Sequence, residues 1–356
     1  MKPSSAGFSK YPFPEKMKRD DGSSMYAYVT FLIRNDGYLP GALLYAYGLK
    51  LQKTTADSVC FVSDNISEQA VFALNCFYDL VFCVDEIYVE NENKNERSDL
   101  PYLFTRFHAL RLGHDGNLGT RYEKIVLADS DVLPIKYYDH LFTLNAPAGI
   151  LNEKPEHLQV YDEYGQYVIP DTVYEKGEWL WHEVYNPICP HGEKIPAYIT
   201  DRINTDSSNM GVNSALYVIQ PSYDIYKTLI GELTDERIQN KIQKFRWPEM
   251  QYLTTAWSGL WHNIDLKFCG FKGYPDIKTL YGIHYAGRNP WLINDYKSLN
   301  RMLKFPDNIV WYANYLKLIN DYPQLLKVRR LKKLYDLLNI PMFLQMANSF
   351  ELGIDN

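Results

Sequence analysis

The stretch that decides the fold runs Lys124-Ile125-Val126-Leu127-Ala128-Asp129-Ser130-Asp131-Val132-Leu133-Pro134. Its apolar first half predicts a short buried β-strand that delivers two carboxylates, one residue apart, at its carboxyl end. Ligands of open α/β sheets bind just beyond the carboxyl ends of strands. Paired carboxylates there suit Mg²⁺ or Mn²⁺, ions that commonly bridge a protein to a substrate diphosphate. The structural alternative is an Asp pair that caps a turn.

The chain before this stretch alternates between strand and helix patterns. Strands are predicted at Tyr26–Ile33, Val59–Val62, Leu80–Val84 and Glu86–Val89, and helices at Tyr38–Leu51, Ser67–Asn75 and Leu103–Leu112. This spacing predicts an α/β fold with a mostly parallel sheet and a crevice of nucleotide size.

Composition narrows the class of protein. The 356 residues are 46% hydrophobic and 22% charged, which is typical of a globular protein. A net charge of −6 gives no electrostatic reason to expect nucleic-acid binding. The five cysteines form no Cys-x-x-Cys pair, so neither a zinc site nor a disulfide framework is predicted. With no signal peptide or spanning segment visible, we expect a cytoplasmic protein.

Pattern changes along the chain predict its organisation. We expect a flexible N-terminal segment over 1–24, a catalytic domain over 25–300 and a helical C-terminal extension over 301–356. The polar, aromatic segment 151–203 shows little periodicity, and we expect it to be an insertion near the acceptor side.

Four local motifs occur in one order. They are Asn35-Asp36-Gly37-Tyr38 followed by Gly41-Ala42-Leu43, then Asp129-Ser130-Asp131, then Val212-Asn213-Ser214-Ala215, then His284-Tyr285-Ala286-Gly287-Arg288-Asn289-Pro290-Trp291. This series resembles the glycogenin-like members of glycosyltransferase family 8, over roughly Tyr26 to Trp291. The resemblance implies a retaining enzyme of GT-A fold, with a Rossmann-like nucleotide-binding mixed sheet flanked by helices.

The resemblance also implies a metal site. In that family the Asp-x-Asp (DXD) pair and a distant His bind Mn²⁺, and Asp129, Asp131 and His284 occupy those positions here. Imidazole with carboxylates is a sensible ligand set for Mn²⁺, with Mg²⁺ as the alternative ion. The metal would neutralise charge on the departing nucleoside diphosphate.

The donor-binding residues follow from the same matches. Asn35 and Tyr38 match family residues at the nucleotide end of the donor-binding site. Asn213 and Ser214 match residues that contact the donor sugar. Arg106, Gly287 and Arg288 would serve the diphosphate. Here the chain departs from the family, because Asn289 stands where a Lys usually precedes Pro-Trp and the segment is one residue shorter.

A second departure affects the chemistry. The stretch Trp247-Pro248-Glu249-Met250-Gln251 matches the family helix that carries an acidic residue beside a Gln under the anomeric carbon, but Met250 replaces the acid. Gln251, Glu249 and Asp131 are therefore the predicted catalytic residues. Without a firmly placed carboxylate we expect a front-face mechanism, whereas double displacement would need a carboxylate such as that of Glu249.

The expected function is transfer of a hexose such as glucose, galactose or GlcNAc from a UDP-sugar to a hydroxyl, with Mn²⁺. The acceptor class (glycan, protein or lipid-linked) stays open, and a homodimer is expected from the family alone. The alternatives are an inactive nucleotide-sugar-binding scaffold and a phosphohydrolase that cleaves UDP-sugars. A basic amphipathic helix over 325–338 predicts either peripheral membrane contact or packing on its own domain.

Overall fold

The structure, a computed structural model, describes residues 11–95, 97–152, 160–161, 167–168, 189–271, 276–287 and 289–340. Its strands are β1 (Tyr26–Leu32), β2 (Asp57–Val62), β3 (Leu80–Cys83), β4 (Lys124–Ala128), β5 (Val132–Pro134), β6 (Ala148–Leu151), β7 (Val160–Tyr161), β8 (Tyr167–Val168), β9 (Val212–Ile219), β10 (His262–Asn263), β11 (Gly270–Phe271) and β12 (Gly282–His284). Its α-helices are α1 (Leu39–Leu51), α2 (Glu68–Leu74), α3 (Ala197–Thr200), α4 (Arg202–Thr205), α5 (Tyr223–Glu232), α6 (Glu236–Gln243), α7 (Pro248–Ala256), α8 (Tyr296–Met302), α9 (Pro306–Asp321) and α10 (Arg329–Leu338). Short 3₁₀ helices cover Asp36–Tyr38, Glu92–Asn95, Asp139–Thr143, Leu266–Phe268, Ile277–Thr279 and Pro323–Lys327, and a longer one covers Leu100–Leu112.

The main sheet has seven strands in the order β10-β6-β9-β4-β1-β2-β3. The strands β4, β1, β2 and β3 are parallel neighbours, so their carboxyl ends lie along one edge. The strand β9 is antiparallel to both β4 and β6, which makes the sheet mixed. A second sheet, β11-β12-β5, places β12 antiparallel to β5, directly after the Asp-x-Asp motif.

Helices cover both faces of the main sheet. On one face α1 and α2 share a hydrophobic core with the C-terminal helices α9 and α10. On the other face the core includes the helix Leu100–Leu112, together with residues of α5, α6 and α7. The predicted α/β class, with a mixed sheet, flanking helices and a helical C-terminus, is confirmed.

The contact between α1 and the Asp-x-Asp turn depends on a glycine. A Cβ atom at Gly41 would lie 2.6 Å from Cη2 of Trp291 and closer still to the carbonyl oxygen of Ser130. Since neither a ring nor a backbone carbonyl can yield easily, only glycine fits at this position. This close approach holds the turn between Asp129 and Asp131 against the start of α1.

The basic C-terminal helix packs on its own domain. Leu331, Leu334 and Leu338 of α10 are buried in the core shared with α1. The Tyr315 hydroxyl of α9 donates a hydrogen bond to the carbonyl oxygen of Leu331, at 2.8 Å. The apolar face of α10 is therefore used inside the protein, and the basic residues stay on the exposed face.

Some local predictions differ from the structure. Glu86–Val89 is not a strand, and the helix predicted at Leu103–Leu112 begins at Leu100 and is of 3₁₀ type. Within the segment predicted to be flexible, the structure describes residues 11–24, where Tyr11 is buried and its hydroxyl donates to Asp265 at 2.6 Å. Most of the predicted insertion 151–203, and residues 341–356 of the extension, lie outside the described residues. In the part of the chain that the structure describes, no helix is long and apolar enough to cross a membrane.

Candidate active site

Three side chains that could hold a metal ion converge beyond the carboxyl end of β4. The potential ligand atoms of Asp129, Asp131 and His284 all lie within 4.8 Å of one another. The strand pairing explains this, because β12 runs antiparallel to β5 and sets His284 opposite Val132. The backbone N–H of Tyr285 also donates to the carbonyl oxygen of Asp131, at 2.9 Å. Residues about 150 positions apart thus meet through one short pairing.

The polar atoms of this group fit a divalent cation. Among the described residues, the buried Oδ1 atom of Asp131 has no hydrogen-bond partner, and the Nε2 atom of His284 lies 3.4 Å from it. Burial favours a raised pKa for Asp131, but His284 and Arg106 outweigh it and lower the pKa. Burial likewise favours a lowered pKa for His284, but Asp131 outweighs it and raises the pKa. Two carboxylates and an imidazole with an unused buried oxygen are a ligand set that suits Mn²⁺.

Arg106 joins the metal group to the rest of the site. Its guanidinium forms an ion pair with Asp129 and donates from Nη1 to the carbonyl and hydroxyl oxygens of Ser214, each at 3.2 Å. The same Nη1 atom lies 3.5 Å from Oε2 of Glu249. Burial raises the pKa of Asp129 more than the charge of Arg106 lowers it. Arg106 is thus the cation that two acidic groups share.

Glu249 is a fully buried carboxyl beside this cation. Its exposed fraction is 0%, and among the described residues its Oε1 atom has no hydrogen-bond partner. Burial raises the pKa of Glu249 from 4.5 to about 7, although Arg106 and a hydrogen bond from Ser214 oppose the shift. A buried carboxyl whose pKa is raised to about 7 can hold or release a proton near neutral pH.

Gln251 lies differently from what a sugar-contacting residue needs. Its side chain is 1% exposed, and its Oε1 atom accepts a hydrogen bond from the backbone N–H of Trp247 at 2.8 Å. Its Nε2 atom donates to the carbonyl oxygens of Ser207 at 2.7 Å and Asn209 at 2.8 Å. In this structure the amide of Gln251 therefore fastens the loop before β9 to the start of α7.

Tyr38 and Asn35 lie at the start of α1, at the predicted nucleotide end of the cleft. The Tyr38 side chain is 42% exposed, and its ring meets the edge of Trp291 at a centroid distance of 5.5 Å. Burial of its hydroxyl, with Asp131 nearby, raises the pKa of Tyr38 to about 12. The Oδ1 atom of Asn35 accepts a hydrogen bond from the backbone N–H of Gly37 at 2.7 Å. Tyr38 thus presents a neutral aromatic ring to the cleft.

Two of the remaining predicted residues are partly exposed in the site. Asn213 and Ser214 are partly buried on β9, next to Arg106, and Oδ1 of Asn213 accepts from the backbone N–H of Ala215 at 2.8 Å. Gly287 is exposed with φ +94°, a conformation that favours glycine. Arg288 lies outside the described residues.

Asn289, which stands in place of the family Lys, points inward rather than into the cleft. It is 1% exposed, and its Nδ2 atom lies 3.5 Å from Oδ2 of Asp131. The structure thus places a neutral amide beside Asp131 at this position, where the family usually has a cation.

The sequence reasoning missed Arg97. Its guanidinium lies 5.2 Å from the ring centroid of Trp247 and pairs with Asp99 at 2.5 Å. Burial tends to lower the pKa of Arg97, but Asp99, Tyr38 and Asp129 together raise it. The charge of Arg97 thus lies near Tyr38 and Asp129. The sequence signal that could have identified Arg97 is the polar run that contains it, because this run follows β3 at the carboxyl edge of the sheet, where ligands bind.

Comparisons with known proteins show which proteins this chain is similar to. An uncharacterized protein of Acanthamoeba polyphaga mimivirus is 28% identical over 316 residues, covering 84% of this chain and 96% of its own. Glycogenin-1 of Caenorhabditis elegans is 35% identical over 121 residues, which are 33% of this chain and 26% of the nematode protein. The chain resembles a glycogenin-like glycosyltransferase. The likeness to glycogenins predicted from the motifs is confirmed, over about a third of the chain.

The glycogenin of Neurospora crassa matches in the same way, at 32% identity over 35% of this chain and 17% of the fungal protein. This chain thus spans only a minor part of the glycogenins that it matches. No family model matches the chain. Among solved structures, a galactosyltransferase in complex with donor and acceptor sugar analogs covers 90% of this chain and 99% of its own, at 10% identity and a TM-score of 0.48.

Proposed function

We propose that the chain transfers a sugar from a nucleotide diphosphate donor, UDP-linked, to a hydroxyl group of an acceptor, with retention at the anomeric carbon. The observation that carries the proposal is the convergence of Asp129, Asp131 and His284 within 4.8 Å at the carboxyl edge of the sheet. The likeness to glycogenins over about a third of the chain supports the same class of reaction. The hexose and the acceptor class (glycan, protein or lipid-linked) stay open.

The metal group would hold Mn²⁺, or Mg²⁺ in its place. Such an ion supplies positive charge to the diphosphate that leaves with the nucleoside. The Oδ1 atom of Asp131, which has no hydrogen-bond partner among the described residues, supports this assignment. Asp131 counts with the catalytic residues for that reason.

Cations and aromatic rings of the chain would bind and orient the donor. Arg106 would contact the diphosphate and the sugar from beside Ser214, and Arg97 would add charge at the mouth of the cleft. Tyr38 and Asn35 would receive the nucleoside, and Asn213 and Ser214 the sugar hydroxyls. Gly287 would let the backbone approach the phosphates, and Arg288 is the cation of the same segment. Guanidinium groups make charge-assisted hydrogen bonds to phosphate in a fixed geometry.

Glu249 is the carboxylate that we propose for the reaction centre. It lies beside Arg106 and Ser214, whereas the amide of Gln251 is taken up by three backbone groups. A buried carboxyl with a pKa of about 7 can exchange a proton at neutral pH. We propose a front-face reaction, in which the bond between the sugar and the diphosphate breaks, the acceptor oxygen bonds to the anomeric carbon on the same face, and the leaving phosphate oxygen takes the proton of the acceptor hydroxyl. Glu249 would stabilise positive charge that develops on the sugar, and Gln251 would keep α7 in place.

The competing function is a nucleotide-sugar-binding scaffold without catalysis. Met250 and Asn289 favour it, because one removes the usual acid and the other the usual cation. The intact metal ligands favour the transferase, since a scaffold has no need to gather two carboxylates and an imidazole. Hydrolysis of the donor to free sugar is the third outcome, and only an effect of added acceptor separates it from transfer.

The test combines binding and turnover. Unfolding of the wild type, of Asp131→Asn and of the matched control Asp336→Asn is followed with a panel of nucleotide sugars, with and without Mn²⁺. A donor at about a hundred times its Kd should raise the free energy of unfolding by about 2.7 kcal/mol in the wild type and control, but not in Asp131→Asn. Asp336 is a suitable control because it pairs with Lys332 on the exposed face of α10.

Donors that bind are then incubated with glycan, protein and lipid-linked acceptors, and the anomeric configuration of any product is read by NMR. Retained configuration in an acceptor-dependent product supports the proposal. Binding without turnover supports the scaffold, and no Mn²⁺-dependent binding of any donor refutes both.

Two partner assignments are also proposals. The basic side chains of residues 325–338, among them Lys327, Arg329 and Arg330, are exposed and would contact an anionic membrane at about 1 kcal/mol each. Because the apolar face of α10 is buried, this contact would be electrostatic and would vanish at high salt, which vesicle co-sedimentation measures. The homodimer expected from the family is tested by light scattering after size exclusion.

A further inference from the structure

Three neighbouring strand ends carry a cluster that neither the sequence motifs nor the proposed chemistry uses. Arg34 follows β1, Ser63 follows β2 and Glu86 follows β3, all at the carboxyl edge of the parallel strands. Tyr102, from the helix Leu100–Leu112, completes the cluster. We call these four residues the Arg34 clamp.

Arg34 has an unfavourable backbone conformation. Its φ is +70°, in the left-handed region that residues other than Gly, Asn and Asp rarely adopt. Such strain persists only where surrounding contacts hold it, and it is concentrated at functional sites. At Arg34 the contacts that hold this conformation come from Ser63, Glu86 and Tyr102.

The clamp grips both the backbone and the side chain of Arg34. The backbone N–H donates to Oγ of Ser63 and to Oε1 of Glu86, each at 3.0 Å. The guanidinium donates from Nη1 to the other carboxylate oxygen of Glu86, also at 3.0 Å. Its carbon Cζ lies 3.8 Å from the ring centroid of Tyr102, a close cation–π contact. One carboxylate thus fixes both ends of the residue.

The fixed turn leads directly into the proposed nucleotide site. Asn35 follows Arg34 and caps the backbone N–H of Gly37, and Tyr38 comes one residue later. The carboxylate of Asp36 accepts from the hydroxyl of Ser67 at 2.6 Å, which ties the middle of the turn to α2. Any freedom at Arg34 would therefore displace Asn35 and Tyr38 together.

The clamp also links the nucleotide site to the diphosphate site. Tyr102 and Arg106 are four residues apart on the same 3₁₀ helix, and Arg106 contacts Asp129. The stack of Arg34 on Tyr102 thus sets the spacing between the turn at Tyr38 and the helix that carries Arg106.

We propose that Arg34 is a positioning residue. The other residues of the Arg34 clamp hold it in a left-handed turn, so that the chain presents a preformed site to the nucleoside of the donor. The proposal rests on the proposed function. It assigns to the clamp the affinity for the nucleotide half of the donor, and it leaves metal binding and sugar transfer to other residues. A preformed turn loses less freedom on binding, which is how a residue outside the contact surface raises affinity.

The experiment measures UDP binding by titration calorimetry in the presence of Mn²⁺, and Mn²⁺ binding alone, for the full chain. Arg34→Ala, Glu86→Gln and Tyr102→Leu should each weaken UDP binding about tenfold and raise the donor KM equally, with kcat changed less than about twofold. Affinity for Mn²⁺ should not change. Tyr102→Phe keeps the ring and loses only the hydroxyl, which also hydrogen-bonds to Arg34, so this conservative variant should weaken UDP binding less than Tyr102→Leu does.

Arg34→Gly separates the clamp from the backbone conformation. Glycine adopts φ +70° freely but has no side chain to grip, so we expect UDP binding as weak as in Arg34→Ala. Hydrogen exchange of the amides at 34–38 should be faster in Arg34→Gly and Arg34→Ala than in the wild type, with the remaining core protected as before.

Each result has one meaning. If the wild type binds UDP and the clamp variants bind it equally well, or if Arg34→Gly alone keeps full affinity, the proposal is overturned while the proposed function stands. If affinity for Mn²⁺ falls in parallel with that for UDP, the cluster has a general structural role and the proposal is also overturned. If the wild type binds neither UDP nor any UDP-sugar, the proposed function fails, and the proposal fails with it.

Discussion

Glu249→Gln should make the protein more stable at alkaline pH while it impairs sugar transfer. The folded state raises the pKa of Glu249 from 4.5 to about 7, chiefly through burial. Between these values the folded chain binds more protons than the unfolded chain, so its stability falls as the pH rises. A difference of roughly 2.5 units at about 1.36 kcal/mol per unit predicts a loss of about 3 kcal/mol, complete above pH 7. The Gln variant has no such carboxyl and escapes this loss.

The assay is urea unfolding of the wild type and Glu249→Gln at intervals from pH 4.5 to 8.5, in the absence of divalent ions. The difference between the two free energies of unfolding should change by about 3 kcal/mol in favour of the variant across this range, because other titrating groups cancel. Parallel pH profiles would refute the reasoning, since they would mean that Glu249 ionises as easily in the folded chain as in the unfolded one. If the variant is more stable but retains full transferase activity, the proposed role of Glu249 in the reaction is wrong.

Three further predictions address the neighbours of the site. Gly41→Ala should lose about 1–2 kcal/mol of stability and weaken Mn²⁺ binding, because the clash at the Asp-x-Asp turn exceeds the gain in helix propensity. The control is Gly231→Ala on α5, where the added methyl group meets open space and should raise the free energy of unfolding by up to about 1 kcal/mol. Urea unfolding measures both changes. Gln251→Ala should lose about 2–4 kcal/mol, since it strands three backbone groups, and a variant with unchanged unfolding but no activity would contradict that structural role. Arg97→Ala should weaken UDP binding by about 1 kcal/mol, most clearly at low salt. The control Arg237→Ala also removes an Arg–Asp ion pair and should leave the affinity for UDP, measured by calorimetry, unchanged.

The elements that sequence patterns predicted well are those with strong periodicity and local signals. The strand predicted from the apolar first half of the opening stretch is observed at Lys124–Ala128, and the helix predicted at Tyr38–Leu51 is observed at Leu39–Leu51. The Asp-x-Asp motif was found because two carboxylates directly follow an apolar run. His284 required the family resemblance, since its meeting with Asp131 depends on a pairing between β5 and β12 that no local pattern reveals.

The rest could not be predicted because it depends on where side chains turn. The sequence does not reveal that the side chains of Asn289 and Gln251 are buried, or that the Gln251 amide bonds to backbone groups; the predicted role of Gln251 at the sugar stays a prediction. Arg97 has no motif, and only the fold brings its charge to the cleft. The strain at Arg34 is equally invisible, because it is a property of the backbone angle and not of the residue type.

The sharing of Arg106 bears on the proposed reaction, in which Glu249 would take the place of the acid that Met250 replaces. Arg106 lies between Asp129 and Glu249, so in the absence of ligands one guanidinium faces two carboxyl groups. A divalent ion on Asp129 would supply the charge that this carboxylate now takes from Arg106, which would leave the guanidinium to Glu249. Removal of a negative charge next to Arg106 strengthens its remaining pair, which lowers the pKa of Glu249 and favours the carboxylate form. On the proposed function, metal binding and ionisation of Glu249 would therefore be coupled through Arg106, and binding of the ion would favour the carboxylate form of Glu249.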